Sequence, residues 1–289
     1  MSRPTVLVIG DIMIDVIVDA PSDLVRGSDV PSTIATNFGG TGMNVAMWAR
    51  QPHLKVQLLG AVGSDGWGNL VLDRLAHVGV SSIIEQSPTL PTGIVVALAH
   101  RDGERSFFPD FRANAAVTSI SPDSLDWQNV KVLVVSGYSL INLATRSWAE
   151  SMLQAAVDRN VATVVDPASS APLSVVPTDV LQRWFDLAQY VIPNEQEFEL
   201  LRARAALPER SVVIEKRGAA GVRLVRNNHT VQEFAAEAAH VIDTIGAGDA
   251  FVGGFAAYLA TDHSLEDSIL AGLHTARQAV EIRGAQPAE

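Results

Sequence analysis

The chain reads as an α/β protein, a doubly wound and mostly parallel sheet with helices on both faces. Three observations carry that reading. From residue 132 onward, short β-branched runs alternate with helical patterns, and alternation of this length builds right-handed βαβ units. Gly10-Asp11, Ser136-Gly137, Asp166-Pro167 and Pro193-Asn194 all fall at the carboxyl ends of expected strands, where open α/β sheets bind their ligands. Finally, 47% of the 289 residues are apolar and 18% charged, which supplies a sizeable core and argues against disorder.

Each element has its own signal. TVLVIG over 5–10 is a buried strand closed by glycine, and 15–19 alternates as a half-exposed strand. A helix over 42–51 follows Gly39-Gly40, and 56–59 is a short apolar strand. The glycine-rich stretch 60–68 reads as a turn into a helix over 69–77. Strands over 93–99 and 105–108 flank Arg101-Asp102-Gly103, whose Asp-Gly pair predicts a hairpin. Strand 132–136, helix 145–159, strand 162–166, strand 190–192, helix 195–204 and strand 212–215 then follow in order. Strands 222–225 and 231–234, joined by Arg226-Asn227-Asn228-His229, form a second hairpin, and helices 247–259 and 265–282 close the chain.

Composition excludes several functions. The net charge is −11 and no Lys/Arg-rich run occurs, which argues against nucleic acid as a partner. It does not argue against ATP, which needs only a local positive field. Without cysteine there are no disulfides and no thiolate zinc sites. The first ten residues lack the longer apolar stretch of a signal peptide, and no apolar run approaches a membrane span. The expectation is a cytoplasmic protein with no membrane partner.

The chemistry concentrates in Asp243-Thr244-Ile245-Gly246-Ala247-Gly248-Asp249-Ala250-Phe251. Small residues there open an apolar helix with a carboxylate in its first turn. Amides at a helix start bind anions, because they point outward unpaired at the positive end of the macrodipole. Asp249 beside them is a poor phosphate ligand and a good base for a hydroxyl attacking phosphorus. Asn194 and Glu197 are spaced i, i+3 at a helix start, so they share a face and suit a capping pair. Gly39-Gly40 either lets backbone approach a ligand, with Asn44 one turn on offering both amide ends to a hydroxyl, or is a plain glycine turn before a helix. Asp15, beyond the first strand, either accepts from two adjacent hydroxyls or is a solvated strand residue; Asp11 is a weaker candidate than Asp15. Asp65 reads as structural or as close to the acceptor. The glycines around it are not spaced as a dinucleotide fingerprint. Lys216 and Arg217 either bring positive charge to a triphosphate or form a solvated strand end.

The nine-residue run resembles the C-terminal signature of the ribokinase-like (PfkB) carbohydrate kinases. Other segments resemble family motifs in family order: Asn37-Phe38-Gly39-Gly40-Thr41-Gly42-Met43-Asn44, the Gly60/Gly63/Asp65/Gly68 spacing, Pro193-Asn194-Glu195-Gln196-Glu197, and Gly218-Ala219-Ala220-Gly221. They cover nearly the whole chain.

The resemblance implies one ribokinase-like kinase domain over 1–289. A small β-sheet lid would come from strands at approximately 15–19, 33–37, 93–99 and 105–108. It implies ATP and Mg²⁺, with Asp249 as base and the amides of Gly246, Ala247 and Gly248 as the anion hole. The acceptor side would take Asp15, Gly39, Gly40, Thr41, Asn44, Tyr138 and Asp249. The nucleotide side would take Asn194, Lys216, Gly218, Gly221, Thr244, Gly246, Gly248 and His274. Asn194 and Glu197 would order a hydrated Mg²⁺. Carbonyls of Asp243, Ile245, Ala279, Ile282 and Gly284 would hold a monovalent cation, usually K⁺. A homodimer through the lid is expected.

Three positions depart from a ribokinase pattern: Met13 for an Asn, Thr41 for a Lys and Tyr138 for a Glu. Ribose itself is therefore in question. Arg105 and Arg112 are candidates to meet an acidic or phosphorylated sugar. The expected acceptor is a small sugar or sugar derivative. A nucleoside kinase and a non-catalytic sugar or nucleotide sensor on the same fold stay open, and a dehydrogenase is disfavoured.

Overall fold

The computed structural model describes residues 3–19, 26–99, 105–117, 119–204, 207, 211–227 and 229–287. In chain order its first half comprises β1 (Thr5–Ile9), β2 (Met13–Asp19), β3 (Thr33–Gly39), α1 (Thr41–Trp48), β4 (Lys55–Gly63), α2 (Gly66–His77), β5 (Ser81–Ser87), β6 (Gly93–Ala99) and β7 (Arg105–Asp110). The alternating half follows with β8 (Val130–Ser136), α3 (Gly137–Ile141), α4 (Arg146–Asp158), β9 (Ala162–Asp166), α5 (Ser170–Ser174) and α6 (Thr178–Asp186). It ends with β10 (Tyr190–Val191), α7 (Glu195–Ala203), β11 (Val212–Lys216), β12 (Val222–Arg226), β13 (His229–Phe234), α8 (Ala247–Leu259) and α9 (Leu265–Val280).

Nine strands form the main sheet in the order β13-β12-β11-β10-β9-β8-β1-β4-β5. Pairing is parallel from β11 to β5, and β12 and β13 are antiparallel additions at one edge. Strands covered on both faces read as continuous apolar runs, and β1 is the clearest case. Val6 and Val8 pack into one core layer with residues of α1, α8 and α9. Leu7 and Ile9 face the other layer, with residues of α4, α6 and α7. Among the described residues no helix is long and apolar enough to cross a membrane.

The second sheet has four strands in the order β3-β2-β6-β7. Its register separates two faces, because side chains alternate along each strand. Met13, Asp15, Val95, Phe107 and Pro109 share one face and line a cleft over the main sheet. On the other face lie Val16, Val18, Ile34, Val96, Leu98 and Phe108, with Ile34 62% and Phe108 60% exposed. Asn114 ties this sheet to the core: it accepts from Ile12 N at 2.8 Å and donates to the Ile12 carbonyl at 2.9 Å.

Several expectations need correction. The stretch 60–68 is mostly not a turn: β4 runs through Gly63 and α2 starts at Gly66. Burial of β4 between two neighbouring strands outweighs the weak strand preference of glycine. The first helix is Thr41–Trp48, shorter than expected, and the last ends at Val280. In the small sheet β2, β3 and β7 are longer than their sequence signals while β6 matches 93–99, and β5, α3, α5 and α6 are additional. Both hairpins form. The turn assigned to Arg101-Asp102-Gly103, the side chain of Arg105, and Asn228 lie outside the described residues.

Candidate active site

Two cavities meet beyond the carboxyl ends of β1, β9, β10 and β11. One is a cleft of about 540 Å³ between the small sheet and the main sheet. The other, of about 340 Å³, lies against α8 and α9. Thr41, Ala168, Asn194, Gly246 and Asp249 line both, so the junction runs past the first turn of α8.

Gly246 caps that helix in a left-handed conformation, with φ of 73°. A Cβ there would stand 2.6 Å from the Ala285 Cβ, so both backbone shape and close approach require glycine. The following amides belong to the first turn, where the helix offers them no partner; Ala247 N reaches back only to Thr244 O at 3.4 Å. Ala247 and Gly248 line the smaller cavity, and Thr244 and Ile245 the cleft.

Asp249 stands at the junction. Burial pushes its carboxyl up to about 7, helped by Asp166 and Asp11 and opposed by a hydrogen bond from Asn44 and by Lys216. Asn44 is buried and lines the cleft: its Nδ2 donates to Asp249 Oδ2 at 2.8 Å, and its Oδ1 accepts from Gln286 Nε2 at 3.2 Å. Each amide end keeps capacity for one further hydrogen bond. Here they join the C-terminal segment to Asp249.

The cleft floor is acidic. Asp11 accepts from Thr41 N at 3.0 Å, and Ser136 Oγ donates to it at 3.4 Å. Burial raises its pKa against those bonds. Asp15 is buried with Oδ1 lacking a partner, and burial, then Asp11, pushes it up to about 7. Gly39 lies directly against it, since a Cβ there would be 2.1 Å from Asp15 Oδ1. Gly40 lines the cleft as well. Tyr138 forms part of the wall and packs against Phe111 with ring centroids 5.3 Å apart. Its hydroxyl is held above the usual range by burial and by the Asp11 charge.

The smaller cavity holds the cation. Lys216 Nζ donates to Asp166 Oδ2 at 2.7 Å, both side chains largely buried. Burial alone would lower the Lys216 pKa; Asp166 and Glu197 outweigh it and raise it. The solvated-strand-end reading therefore fails for Lys216, whereas Arg217 turns away to pair with Glu233. Asn194 and Glu197 form a reciprocal capping box on α7, with Asn194 Oδ1 accepting from Glu197 N at 2.9 Å and Glu197 Oε2 accepting from Asn194 N at 2.9 Å. Burial, then the Asp166 charge, raises the Glu197 carboxyl. The buried Glu197 oxygens and the amide oxygen of the exposed Asn194 are already hydrogen-bonded. Together with Asp166 they fit a hydrated divalent cation better than a stripped one.

Gly218 and Gly221 line this cavity, as do Leu273 and Ala276 of α9. His274 does not. It is exposed, with Nδ1 3.6 Å from Glu237 Oε2, because it lies off the Leu273–Ala276 face of the helix. Arg112 is likewise not a cleft residue, since it pairs with Asp110 at 2.7 Å. Asp65 is structural: it caps α2 through Gly68 N at 2.8 Å and accepts from Thr92 N at 2.7 Å.

Behind the junction, Asp243 accepts from Ile245 N at 2.9 Å and Gly284 N at 3.1 Å. This holds the turns at 243–245 and 282–284 side by side. The Ala279 carbonyl also accepts from Ile282 N at 3.4 Å. Asp166 and Gln286 were missed as site residues. Asp166 had a usable signal, its place at a strand end beside Pro167; Gln286 had none.

An α/β fold with an open helix start, a carboxylate in its first turn and a largely buried lysine lining the same cavity fits a phosphoryl-transfer class of protein. The chain belongs to the pfkB family of carbohydrate kinases, whose model matches residues 3–289. It is thus an enzyme of the sugar-kinase class. It is 28% identical to the uncharacterized sugar kinase YegV of Escherichia coli K12, over 98% of this chain and 90% of that protein. Ribokinase of Lactococcus lactis is also 28% identical, over 97% of this chain and 92% of that one. Among solved structures, ribokinase from Cryptococcus neoformans in complex with ADP superposes with a TM-score of 0.80 at 25% identity, covering 99% and 96% of the two chains. Burkholderia thailandensis nucleoside kinase in complex with inosine gives 0.83 at 20% identity, covering 98% and 92%, a likeness of fold.

Proposed function

We propose that the protein transfers the γ-phosphoryl group of ATP to a hydroxyl of a small sugar or sugar derivative. The observation that carries this reading is the position of Asp249, which lines both cavities beside the start of α8. The acceptor occupies the cleft and ATP the smaller cavity, so the two reactants meet at one carboxylate. As the acceptor oxygen bonds to the γ-phosphorus, the bond to the β,γ-bridging oxygen breaks and ADP leaves with its electron pair. Asp249 takes the hydroxyl proton. The amides of Gly246, Ala247 and Gly248 stabilise the transferring oxygens, and positioning with preorganised charge supplies most of the rate. Asp15 accepts from acceptor hydroxyls, with Gly39, Gly40, Thr41 and Tyr138 shaping the pocket. Lys216, Gly218, Gly221 and Thr244 serve the nucleotide side.

Asp166, Asn194 and Glu197 would hold Mg²⁺ through water, and the carbonyls of Asp243, Ile245, Ala279, Ile282 and Gly284 would hold K⁺. When bound, the divalent ion neutralises charge on the phosphates. The protein's own part is to keep Asp166 and Glu197 buried and fixed by Lys216 and Asn194. We read residues 1–289 as one kinase domain with the small sheet as its lid, excluding water as it closes. Ile34 and Phe108, exposed among half-buried apolar neighbours on the outer face of the lid, support a homodimer there; a monomer by light scattering at micromolar concentration would remove it. ATP dependence suits a cytoplasmic setting. A nucleoside acceptor is the second reading, favoured by the paired rings of Phe111 and Tyr138.

The test is Asp249→Asn. ATP binding by calorimetry is expected to persist while turnover falls on the order of 10²–10⁴-fold. Near-normal turnover would refute the assignment.

A further inference from the structure

We propose that Gln286 is a positioning residue for the phosphoryl transfer, fixing which end of the Asn44 amide meets Asp249. This rests on the kinase reading above, in which Asp249 is the base. A carboxamide has two ends of nearly equal shape and opposite function, one accepting and one donating. Buried Asn44 faces Asp249 with its Nδ2, at 2.8 Å. Turned over, it would present a carbonyl oxygen, which repels an ionised carboxylate and accepts from a protonated one. The first arrangement favours the base form of Asp249 and the second its protonated form. Burial pushes this carboxyl up to about 7, so both forms are within reach at neutral pH and the orientation of Asn44 selects between them.

Gln286 bears on that choice from the opposite end. Its Nε2 donates to Asn44 Oδ1 at 3.2 Å, which holds the oxygen away from Asp249 and the donor toward it. If both amides turned over, their mutual bond would survive, but a carbonyl would then face the ionised Asp249. The charge on the base and the donor at Gln286 therefore select one arrangement together. The side chain starts from fixed backbone. Gly284 N donates to Asp243 Oδ2 at 3.1 Å, and the Ala285 carbonyl accepts from the buried Trp48 Nε1 at 2.9 Å. Ala285 is itself buried against Gly246 at the start of α8, where an added Cβ would stand 2.6 Å from its own. Asn44 and Trp48 lie one turn apart on α1 and share a face, so their two contacts seat residues 285–286 along one helix. Gln286 lies outside the linings of the cleft and of the smaller cavity. It acts through Asn44 and not on a reactant.

The experiment is a double-mutant cycle of Gln286→Leu with Asn44→Ala. ADP release is followed with MgATP and ribose, fructose or inosine, whichever the native protein turns over. A neutral hydrogen bond is worth a factor of roughly 2 to 10, so Gln286→Leu is expected to lower kcat by that much, with KM for ATP unchanged. In the Asn44→Ala background the same substitution is expected to change kcat by less than about twofold, because the group it acts on is gone. Full additivity overturns the proposal, and so does a loss carried by KM for ATP. Gln286→Glu keeps the shape and only accepts, so it draws Asn44 Nδ2 away from Asp249 and is expected to lower kcat more than Gln286→Leu does. A Gln286→Glu protein as active as the native one also overturns the proposal. If the native protein turns over no acceptor, the kinase reading fails on its own, and the orientation is read by NMR. The Asn44 side-chain amide signal, assigned by its loss in Asn44→Ala, is expected to move on Asp249→Asn in the native background and to stay in place in the Gln286→Glu background. An equal response in both overturns the proposal.

Discussion

Asn44→Leu tests whether the acid–base state of Asp249 is set by its neighbour. In the native protein Asn44 Nδ2 stands 2.8 Å from Asp249 Oδ2 and is the leading influence opposing the rise caused by burial, which takes that carboxyl to about 7. A hydrogen bond to a charged group is worth about 1.5–3 kcal/mol, and one pKa unit is about 1.4 kcal/mol. Removing the bond therefore raises the Asp249 pKa by roughly one to two units. At pH 7 the native carboxyl is about half ionised; in the variant roughly a tenth to a hundredth is. Expected kcat/KM at pH 7 falls roughly 5- to 50-fold, and the loss is recovered as pH rises past 9. The assay is ADP release from pH 5.5 to 9.5, read as the acid limb of kcat/KM, which reports the free enzyme. An acid limb with the same midpoint in both proteins refutes the reasoning. So does a loss that high pH fails to restore. Gln286→Leu probes the next link, since it removes the donor at 3.2 Å that orients the Asn44 amide. A smaller shift in the same direction is expected.

Three other substitutions test separate parts of the site. Lys216→Met leaves Asp166 buried without its partner at 2.7 Å; a stability loss of about 3–5 kcal/mol by denaturant titration and a higher KM for ATP are expected, and an unchanged denaturation midpoint would contradict them. Gly246→Ala places a Cβ 2.6 Å from that of Ala285 at a φ of 73°; left-handed strain alone costs about 1–2 kcal/mol, and kcat should fall more than tenfold as the helix start shifts. Asp15→Asn removes a carboxyl whose pKa rises from 3.8 to about 7 on folding. The folded native state holds the extra proton between those values, so its stability declines as pH rises through them. The variant should therefore gain melting temperature over the native protein above pH 7, with the gap closing toward pH 4. A gap independent of pH would sink this account.

The alternating half of the fold was legible because its strands are buried on both faces and therefore written as unbroken β-branched runs. β5 (SSIIEQS) lies at the sheet edge and mixes polar with apolar residues, so no periodicity marks it. α6 did carry a helical pattern, with Val180, Leu181, Trp184 and Phe185 all buried on one face. The glycines of 60–63 misled because local preference and tertiary burial disagree there, and burial decides. His274 failed for a different reason. Naming the right helix does not fix its phase, and one residue along α9 turns about 100° from the cavity wall to solvent.

The site itself was legible wherever chemistry is contiguous, as in 243–251, and hidden wherever it depends on sheet order. Asp166 ends β9, Asn194 follows β10 and Lys216 ends β11. Fifty residues separate the Asp166–Lys216 pair, and no spacing rule joins them. Parallel order β9-β10-β11 does. Each strand runs the same way, so all three carboxyl ends emerge at one edge, and the bridge from Asn194 to Lys216 sets their register. A lysine at such an end is drawn to the carboxylate two strands away and buried with it. That pairing bears on how the protein binds a polyanion at a net charge of −11. Lys216 is already matched by Asp166, so the pair adds little net charge to the smaller cavity. The uncompensated positive end there is the first turn of α8. The acceptor cleft, by contrast, keeps its carboxylates unmatched. Under the proposed reading Asp249 lies between the two fields, and burial of its charge is opposed first by the hydrogen bond from Asn44 and then by Lys216.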